Sequence, residues 1–383
     1  MLTYTINTSL EQLPESWNTL ALHDVMLQTS YLRALNEGSP KTISCYYVSV
    51  FESDKLVGIA LVQKIQLYAK DMFRNGELSL LKRFFRNQVS KVLKGNILVV
   101  GNLTHTGQHG YAFDKNRVSS EDFFQTIFQA LESLQQQIKA ETGKTIRFLT
   151  FKDYFEKDAI HSISKQFFSK QYTRVQVQPN MILNVQPEWQ QPKDYVEAQT
   201  AKYRKRYRTA RKKLNMRREE LSLEALKTHS KTIYELYRTV SDNARFNTFI
   251  LPENHFISLK QELQEKFKVF GYFKEEKLVG FYTLLVNNNA LETYFLGYDE
   301  AFQYKHQLYL NMLYDMVEFG ISNSLEIIIY ARTAMEIKSS VGAMPVAMSM
   351  YLKHTNRFLN TLLKQIFKLM NPSEDWEIRH PFK

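Results

Sequence analysis

The residues with the clearest potential for chemistry form a dense basic run near the middle of the chain. Ten lysines and arginines, and no acidic residue, lie between Lys202 and Arg218. A solvated helix face is the usual explanation of a charge run, but acidic residues are normally interspersed in such a face. Their absence favours anion binding, with phosphates, a nucleic-acid backbone and anionic lipid as the ligands to consider.

The basic run accounts for almost all of the net charge. The 383 residues carry a formal net charge of +11 at pH 7, so subtracting the ten charges of the run leaves +1 for the rest of the chain. The basicity is therefore a local feature of a nearly neutral protein. This distribution argues against a surface that coats nucleic acid broadly.

Glycine and cysteine usage excludes several function classes. The 13 glycines form neither G-x-G-x-x-G nor G-x-x-x-x-G-K, so the common dinucleotide and P-loop signatures are absent. The one cysteine, Cys45, excludes an intramolecular disulfide and favours a reducing compartment. No apolar run approaches the ~20 residues that span a bilayer, and the start of the chain lacks a secretory signal. We expect a cytoplasmic protein.

The elements that position the basic run repeat along the chain. Residues 50–58 align with residues 272–280 at an offset of 222, and both segments end in Lys-Leu-Val-Gly. Each segment is predicted to form a β-hairpin. In both halves more strand follows, then a long helix and a β-branched strand, at 146–151 and 325–330. This order predicts a duplicated fold.

The predicted fold class is α/β (α+β), with two tandem domains over 1–187 and 188–383. Each domain is expected to be a mixed, mostly antiparallel sheet flanked by helices. A basic helix over about 194–218 is predicted to open the second domain. Its apolar stripe lies at helical spacing and consists of Tyr203, Tyr207, Ala210 and Leu214.

Three stretches resemble the Gcn5-related N-acyltransferase (GNAT) superfamily, and in particular its double-domain, Fem-like bacterial members. They are Tyr203-Arg204-Lys205-Arg206-Tyr207-Arg208 leading into Ala210-Arg211-Lys212-Lys213-Leu214, then Arg332-Thr333-Ala334-Met335-Glu336-Ile337-Lys338 with Gly342 and Pro345 after it, and the loop at 101–110. By element order the resemblance spans nearly the whole chain. It implies two tandem GNAT-like domains.

The resemblance implies an N-acyltransferase without a tightly bound cofactor. Its co-substrates would be a thioester donor, either acyl-CoA or acyl carrier protein, and an amine acceptor. Single-domain members hold the CoA pyrophosphate on a glycine-containing turn, whereas residues 301–306 contain no glycine. Some Fem-like members use aminoacyl-tRNA, which is the alternative donor. An alternative of another class is a non-enzymatic module that binds nucleic acid or anionic membrane through the basic helix.

The resemblance also implies that the donor enters between two splayed strands, for which 290–298 and 325–330 are the candidates. Glu292 and Tyr294 are two residues apart, so they project to one face of the first strand. Glu292 is the candidate base, because desolvation raises the pKa of a carboxyl group toward neutrality. The alternative is a surface glutamate on an alternating strand.

Lys338 and Glu336 are candidate catalytic residues because they lie in the segment most like the lysine-containing segment of the family. Lys338 is expected to bind a carboxylate or phosphate, or to stabilise an oxyanion. A solvated loop lysine is the alternative. The candidates for holding the phosphates of the donor are Arg204, Arg208, Arg332, Gln303 and His306.

The loop at 101–110 supplies two candidate substrate contacts, Asn102 and His109. Its His105 and His109 are the only close histidine pair, but cysteines are lacking there and acids are few. No metal site is therefore expected. A plain loop histidine is the alternative for His109.

Two further stretches, 78–94 and 353–368, are basic and amphipathic. Either could lie on a membrane surface, as an enzyme that acts on a lipid amine would require, and the acceptor is then a lipid amine beside a small-molecule amine. Helices that bury their apolar face in a domain core are the other interpretation of these stretches.

Overall fold

The computed structural model describes residues 2–67, 95–163, 172–243, 249–370 and 376–383. These residues form two compact units. Unit 1 contains the described parts of Met1–Gln178, Arg245–Ile250 and Ala347–Ser373, and unit 2 those of Pro179–Ala244, Leu251–Val346 and Glu374–Lys383. The boundary at 187/188 is predicted between the two repeats of the sequence, and it stays a prediction.

The described strands and helices are numbered in chain order. The strands are β1 (Leu2–Asn7), β2 (Ile43–Glu52), β3 (Lys55–Leu67), β4 (Gly95–Val100), β5 (Tyr111–Phe113), β6 (Ile146–Phe155), β7 (Thr173–Asn184), β8 (Arg217–Glu220), β9 (Phe267–Lys274), β10 (Lys277–Asn287), β11 (Ala290–Tyr298), β12 (Ile327–Ile329) and β13 (Met344–His354). The helices are α1 (Trp17–Leu20), α2 (Thr29–Gly38), α3 (Ser120–Thr142), α4 (Pro192–Ala198), α5 (Ala201–Leu214), α6 (Leu223–Thr228), α7 (Ser230–Asp242), α8 (His255–Leu263), α9 (Glu300–His306), α10 (Leu308–Ser322), α11 (Met335–Ser339) and α12 (Arg357–Met370). Short 3-10 turns lie at Leu10–Gln12, Val25–Leu27, Ala159–Ser162 and Gln264–Lys266.

Unit 1 is built on a mixed sheet in the order β1-β2-β3-β4-β6-β13, with β5 paired to β3. β4 and β6 are parallel, and their pairing ends at Val100 and Phe151. Helix α3 begins after Ser119, whose side chain accepts a hydrogen bond from the Asp122 backbone N–H, as the sequence predicts. Its buried residues include Phe123 and belong to the hydrophobic core of this unit.

Unit 2 has the same arrangement of strands. Its sheet runs in the order β7-β12-β11-β10-β9-β8, and β11 and β12 are the parallel pair. Helix α10 covers one face, where Leu291 and Ile328 share a buried cluster with its residues. Helix α7 lies against β11 at Gly297, where a Cβ would meet the Leu236 carbonyl carbon at 2.4 Å. Any larger residue at this position would push the helix away from the strand.

The two hairpins share details of strand register and backbone hydrogen bonding. The β2–β3 and β9–β10 pairings each skip one residue, Val57 in the first and Val279 in the second, which are 222 residues apart. The backbone carbonyls of these valines accept hydrogen bonds from the N–H groups of Asp114 and Asp299, respectively. These shared details agree with the predicted duplication.

The basic helix differs from its predicted extent. Residues 194–218 contain the end of α4, the separate helix α5 and the start of β8. Gln199 and Thr200 have extended backbone angles that interrupt the helix, and Asn215 ends α5 in the left-handed conformation. The predicted apolar stripe is correct, since Tyr203 and Ala210 are buried in the core of unit 2.

The two amphipathic stretches have different outcomes. Residues 78–94 lie outside the described residues. Residues 353–368 lie in the end of β13 and in α12, where Leu363 is buried and Phe358 is exposed. Across the described ranges, every helix is too short or too polar to span a bilayer.

Candidate active site

The parallel strands of unit 2 separate at one point. β11 pairs with β12 from Ala290 opposite Ile327 to Glu292 opposite Ile329, and β11 then continues to Tyr298 along β10. Beyond Ile329 the chain continues along β7, to which β12 is paired, and the Tyr330 N–H donates to the Met181 carbonyl. The strands therefore part at their carboxyl ends, which is where open sheets with parallel strands place ligands.

Glu292 and Tyr294 lie together at this separation. Glu292 is the last residue of β11 that pairs with β12, and it is 4% exposed. The hydroxyl of Tyr294 lies 2.9 Å from Nε2 of His255, a fully buried residue of α8. The structure thus brings a carboxyl group, a phenol and an imidazole to one face of β11. No local signal in the sequence points to His255, because its pairing with Tyr294 spans 39 residues.

The loop after β12 has unusual backbone geometry. Ala331, Thr333 and Ala334 all have positive φ angles, at 57°, 64° and 47°. Left-handed backbone costs energy in residues other than glycine and persists only where neighbouring contacts enforce it. The loop leads directly into α11, so its path determines where the lysine-containing segment lies.

The Lys338 side chain supplies those contacts. Its ammonium group donates to the carbonyls of Tyr330 at 2.5 Å and Arg332 at 2.6 Å, and a longer contact of 3.5 Å reaches Ala331. Lys338 is only 6% exposed. The buried amine therefore stabilises the left-handed loop through its contacts with the loop carbonyls. Its predicted catalytic role stays a prediction.

Replacement of Lys338 by methionine is expected to change the pH dependence of stability. Burial lowers the pKa of Lys338 from 10.5 to about 7. Between these values the unfolded chain holds a proton that the folded chain has released, so the free energy of unfolding increases with pH. Equilibrium urea unfolding should show this contribution as about 2 kcal/mol between pH 7 and pH 9. The Lys338→Met variant should lack this pH-dependent contribution to the free energy of unfolding.

The matched control for this measurement is Lys231→Met, because Lys231 is exposed on α7. Its pH dependence should equal that of the unsubstituted chain. An unchanged pH dependence in Lys338→Met would show that the buried amine stays protonated throughout this range.

The turn between β11 and α9 already contains an acid. Asp299 caps α9 by accepting the Ala301 N–H at 3.0 Å, and Lys277 donates to its other oxygen. A carboxylate in this position repels phosphate and occupies a backbone donor that would bind it. Gln303 accepts the Tyr309 N–H, and His306 contacts the Lys213 carbonyl. The predicted phosphate contacts of Gln303 and His306 stay predictions.

Arginines of the basic run have distinct partners. Arg211 donates to Asp315 at 2.6 Å and to Glu318 at 2.5 Å, and Arg218 lies 3.2 Å from the same oxygen of Asp315. Burial alone lowers the pKa of Arg211, but the two carboxylates raise it above its ordinary value. Part of the basic run therefore holds unit 2 together.

The arginines predicted to bind phosphate lie in different surroundings. Arg204 donates to the backbone carbonyl of Gln199, which ties α5 to the preceding turn, whereas Arg208 is exposed. Arg332 is half-buried in the left-handed loop, and burial lowers its pKa to about 10. None of these three side chains lines the cavity of about 610 Å³ that lies nearby in unit 2.

A cavity of about 610 Å³ lies in unit 2 beside the left-handed loop. Its charged lining residues are Lys202, Arg206, Glu336 and Arg379. Glu336, a predicted catalytic residue, accepts a hydrogen bond from Nε of Arg379 at 3.2 Å in this wall. Tyr203 and Trp376 supply aromatic lining. The i, i+4 spacing of Lys202 and Arg206 was a signal in the sequence, but it did not distinguish them from Arg204 and Arg208.

The candidate residues of unit 1 lie in its interior. The side-chain amide of Asn102 donates to the Tyr31 hydroxyl at 2.8 Å, and its oxygen accepts from Thr104. His109 lies 2.9 Å from Asp24 and is 7% exposed. These contacts stabilise the 101–110 loop, and the predicted substrate contacts of Asn102 and His109 stay predictions. Within the described ranges, no group of three or more His, Cys, Asp or Glu residues is arranged to hold a metal ion.

The comparison with protein families identifies the part of the chain that contains this site. Residues 201–339 match the family model described as an acetyltransferase (GNAT) domain. This part of the chain is similar to a GNAT acetyltransferase domain. The match extends from the first residue of α5 to the last residue of α11. The GNAT domain therefore includes the separation of β11 and β12, the left-handed loop and Lys338.

Solved structures show that the fold of a tandem GNAT protein extends over nearly the whole chain. FemX has a TM-score of 0.55 and 11% identity, with 94% of this chain and 100% of that chain covered. A tandem GNAT protein from the clavulanic acid biosynthesis pathway has a TM-score of 0.51 and 9% identity, with 93% and 99% covered. No curated protein sequence matches the chain.

These findings confirm the predicted fold class, two tandem GNAT-like domains with mixed sheets flanked by helices. They also confirm the class of enzyme, an N-acyltransferase, at the level of the domain family. At identities near 10% the structural likeness concerns the fold.

Proposed function

We propose that the chain transfers an acyl group from a thioester donor to the amine of an acceptor, and that the reaction takes place in unit 2. The parting of β11 and β12 after Glu292 and Ile329 carries this proposal. An extended donor chain can lie along the edge that β12 leaves open and bond to the backbone there, as an added strand would. The GNAT domain match over 201–339 supports the same location.

The proposed reaction requires a proton acceptor beside the amine. The neutral amine attacks the carbonyl carbon, a C–N bond forms, and the amine proton passes to the carboxylate of Glu292. Collapse of the tetrahedral intermediate breaks the C–S bond and expels a thiolate. Tyr294 donates a proton to this leaving group, and the His255 imidazole at 2.9 Å holds the phenol in position. Glu292 and Tyr294 thus serve as base and acid.

Lys338 contributes to the proposed site by positioning. Its three carbonyl contacts hold the loop after β12 in the left-handed conformation. That loop borders the opening between the strands, so its path determines the width of the donor channel. Loss of the amine is expected to impair donor binding through the loop.

Asp299 influences which donors are compatible with the site. Because its carboxylate caps the turn after β11, a donor whose pyrophosphate depends on that turn is disfavoured. Acyl-CoA held by other residues and acyl carrier protein both satisfy this condition. The acceptor class is a small-molecule or lipid amine.

A binding screen tests the proposed function. Thermal shift and native mass spectrometry are measured with acetyl-CoA, a long-chain acyl-CoA, acylated acyl carrier protein and aminoacyl-tRNA. A thioester donor is expected to raise Tm, and addition of a panel of amines should then release a free thiol. Stabilisation by aminoacyl-tRNA alone would indicate that the donor is an ester and not the proposed thioester. Stabilisation by none of the four would overturn the proposal.

A further inference from the structure

Two of the cations that line the cavity of unit 2 form no ion pair with a described acidic residue. Lys202 and Arg206 line it from one face of α5, one helical turn apart. Among the described residues, neither forms an ion pair within 4.0 Å, whereas Arg211 on the same helix has two carboxylate partners. Side chains at i and i+4 on a helix are ~5–6 Å apart at Cβ, a spacing that lets both reach one phosphate group.

The opposite wall of the cavity is organised by an ion pair. Arg379 donates to Glu336 and also lies 2.9 Å from Glu377. Its backbone N–H donates to the Ser339 hydroxyl at 3.0 Å, which attaches the C-terminal segment to the end of α11. The positive charge available to a ligand therefore comes from Lys202 and Arg206.

The aromatic lining indicates that the ligand has an apolar or ring-containing part. Trp376 is half-buried at the cavity and packs at the margin of the core of unit 2. Tyr203 is buried beneath the cations, with the Lys202 ammonium 5.7 Å from its ring centroid. A volume of about 610 Å³ is sufficient for a small organic phosphate, and typical ligand pockets are of this order.

We propose that this cavity binds the phosphate group of a small phosphate-bearing co-substrate. Lys202 and Arg206 bind the phosphate, and Trp376 contacts the adjoining apolar or ring part. The inference rests on the proposed function, because residues 334–337 of the wall directly follow the loop that borders the strand opening. The cavity would also provide an anion site in place of the turn after β11, where the Asp299 carboxylate disfavours phosphate.

The phosphate could belong to the donor or to the acceptor, and the experiment separates the two. Binding to the full chain is measured by calorimetry and tryptophan fluorescence with pyrophosphate, coenzyme A and phosphoethanolamine. Pyrophosphate tests the shared chemistry, coenzyme A the donor and phosphoethanolamine an amine acceptor. Trp17 and Trp189 are buried, at 0% and 8% exposure, so a ligand-induced fluorescence change should come from Trp376 and disappear in Trp376→Phe.

The decisive variant is Lys202→Ala/Arg206→Ala. Its affinity for pyrophosphate, and for whichever of the other two probes binds, is expected to fall at least tenfold and to depend less steeply on salt. The matched control is Lys205→Ala/Lys212→Ala, which removes two exposed cations of the same helix outside the cavity. Urea unfolding of both double variants checks that the fold is retained.

Three results would overturn the inference. They are the absence of binding by all three probes, an equal loss of affinity in the control variant, and a response to aminoacyl-tRNA alone in the binding screen that Lys202→Ala/Arg206→Ala abolishes. Failure of the proposed function is distinguishable from these results. If pyrophosphate binds at Trp376 but no donor supports transfer, the cavity assignment stands and the acyltransfer proposal falls. If transfer proceeds equally in Lys202→Ala/Arg206→Ala, the acyltransfer proposal stands and the cavity assignment falls.

Discussion

Replacement of Asp315 by asparagine is expected to lower the free energy of unfolding by about 3–5 kcal/mol, the usual cost of breaking a buried ion pair. Asp315 is 3% exposed and accepts hydrogen bonds from Arg211 and from the Tyr272 hydroxyl, with Arg218 at 3.2 Å. The asparagine amide is neutral and presents donors to some of these partners. The arginines would then lose a carboxylate without regaining full hydration.

Equilibrium urea unfolding of the full chain measures this effect. The matched control is Glu224→Gln, which breaks an exposed pair with Lys227 and is expected to change stability by less than about 1 kcal/mol. An Asp315→Asn variant as stable as this control would show that the cluster is not a major source of stability. Because Arg211 and Arg218 belong to the basic run, the result also separates its structural cations from those that bind ligands.

Replacement of Glu292 by glutamine is expected to lower kcat by about 100- to 10,000-fold, the usual contribution of general base catalysis. The amide has nearly the shape of the carboxyl group but cannot accept the amine proton. Because the substitution removes proton transfer and not donor contacts, KM for the donor should change little. Steady-state kinetics with the donor found in the binding screen measures both quantities.

The control for this variant is Glu326→Gln, since Glu326 is exposed just before β12 and its carboxylate accepts from the Asn289 amide. That variant should keep the activity of the unsubstituted chain. Full activity in Glu292→Gln would remove Glu292 from the mechanism. A large rise in KM with kcat unchanged would assign it to binding instead of proton transfer.

Several features of the fold could be predicted from local sequence patterns. β11 has the predicted bounds, 290–298, because its aromatic residues and the three asparagines before it are signals in consecutive residues. The Ser119 cap of α3 could be predicted for the same reason. The repeat of Lys-Leu-Val-Gly predicted two equivalent hairpins, and both contain the same skipped valine.

The interruption of the basic helix could not be predicted from local patterns. Its composition continues to favour helix through Gln199 and Thr200, but Arg204 donates to the Gln199 carbonyl and Thr200 bonds to the Pro381 carbonyl. The second partner lies at the other end of unit 2 in sequence. Such contacts are invisible to a pattern that compares near neighbours.

The sequence by itself predicted the resemblance to GNAT acetyltransferases, the repeated order of elements, and the residue types available for acyl transfer, because these depend on composition, spacing and local propensity. Only the tertiary structure decided which way those side chains point. In the folded chain the Lys338 amine contacts three loop carbonyls, Tyr294 lies beside His255, and Lys202 and Arg206 line a cavity. The physical reason is that side-chain direction follows from packing and pairing between distant segments. One sequence of cations can therefore contain both structural and ligand-facing residues.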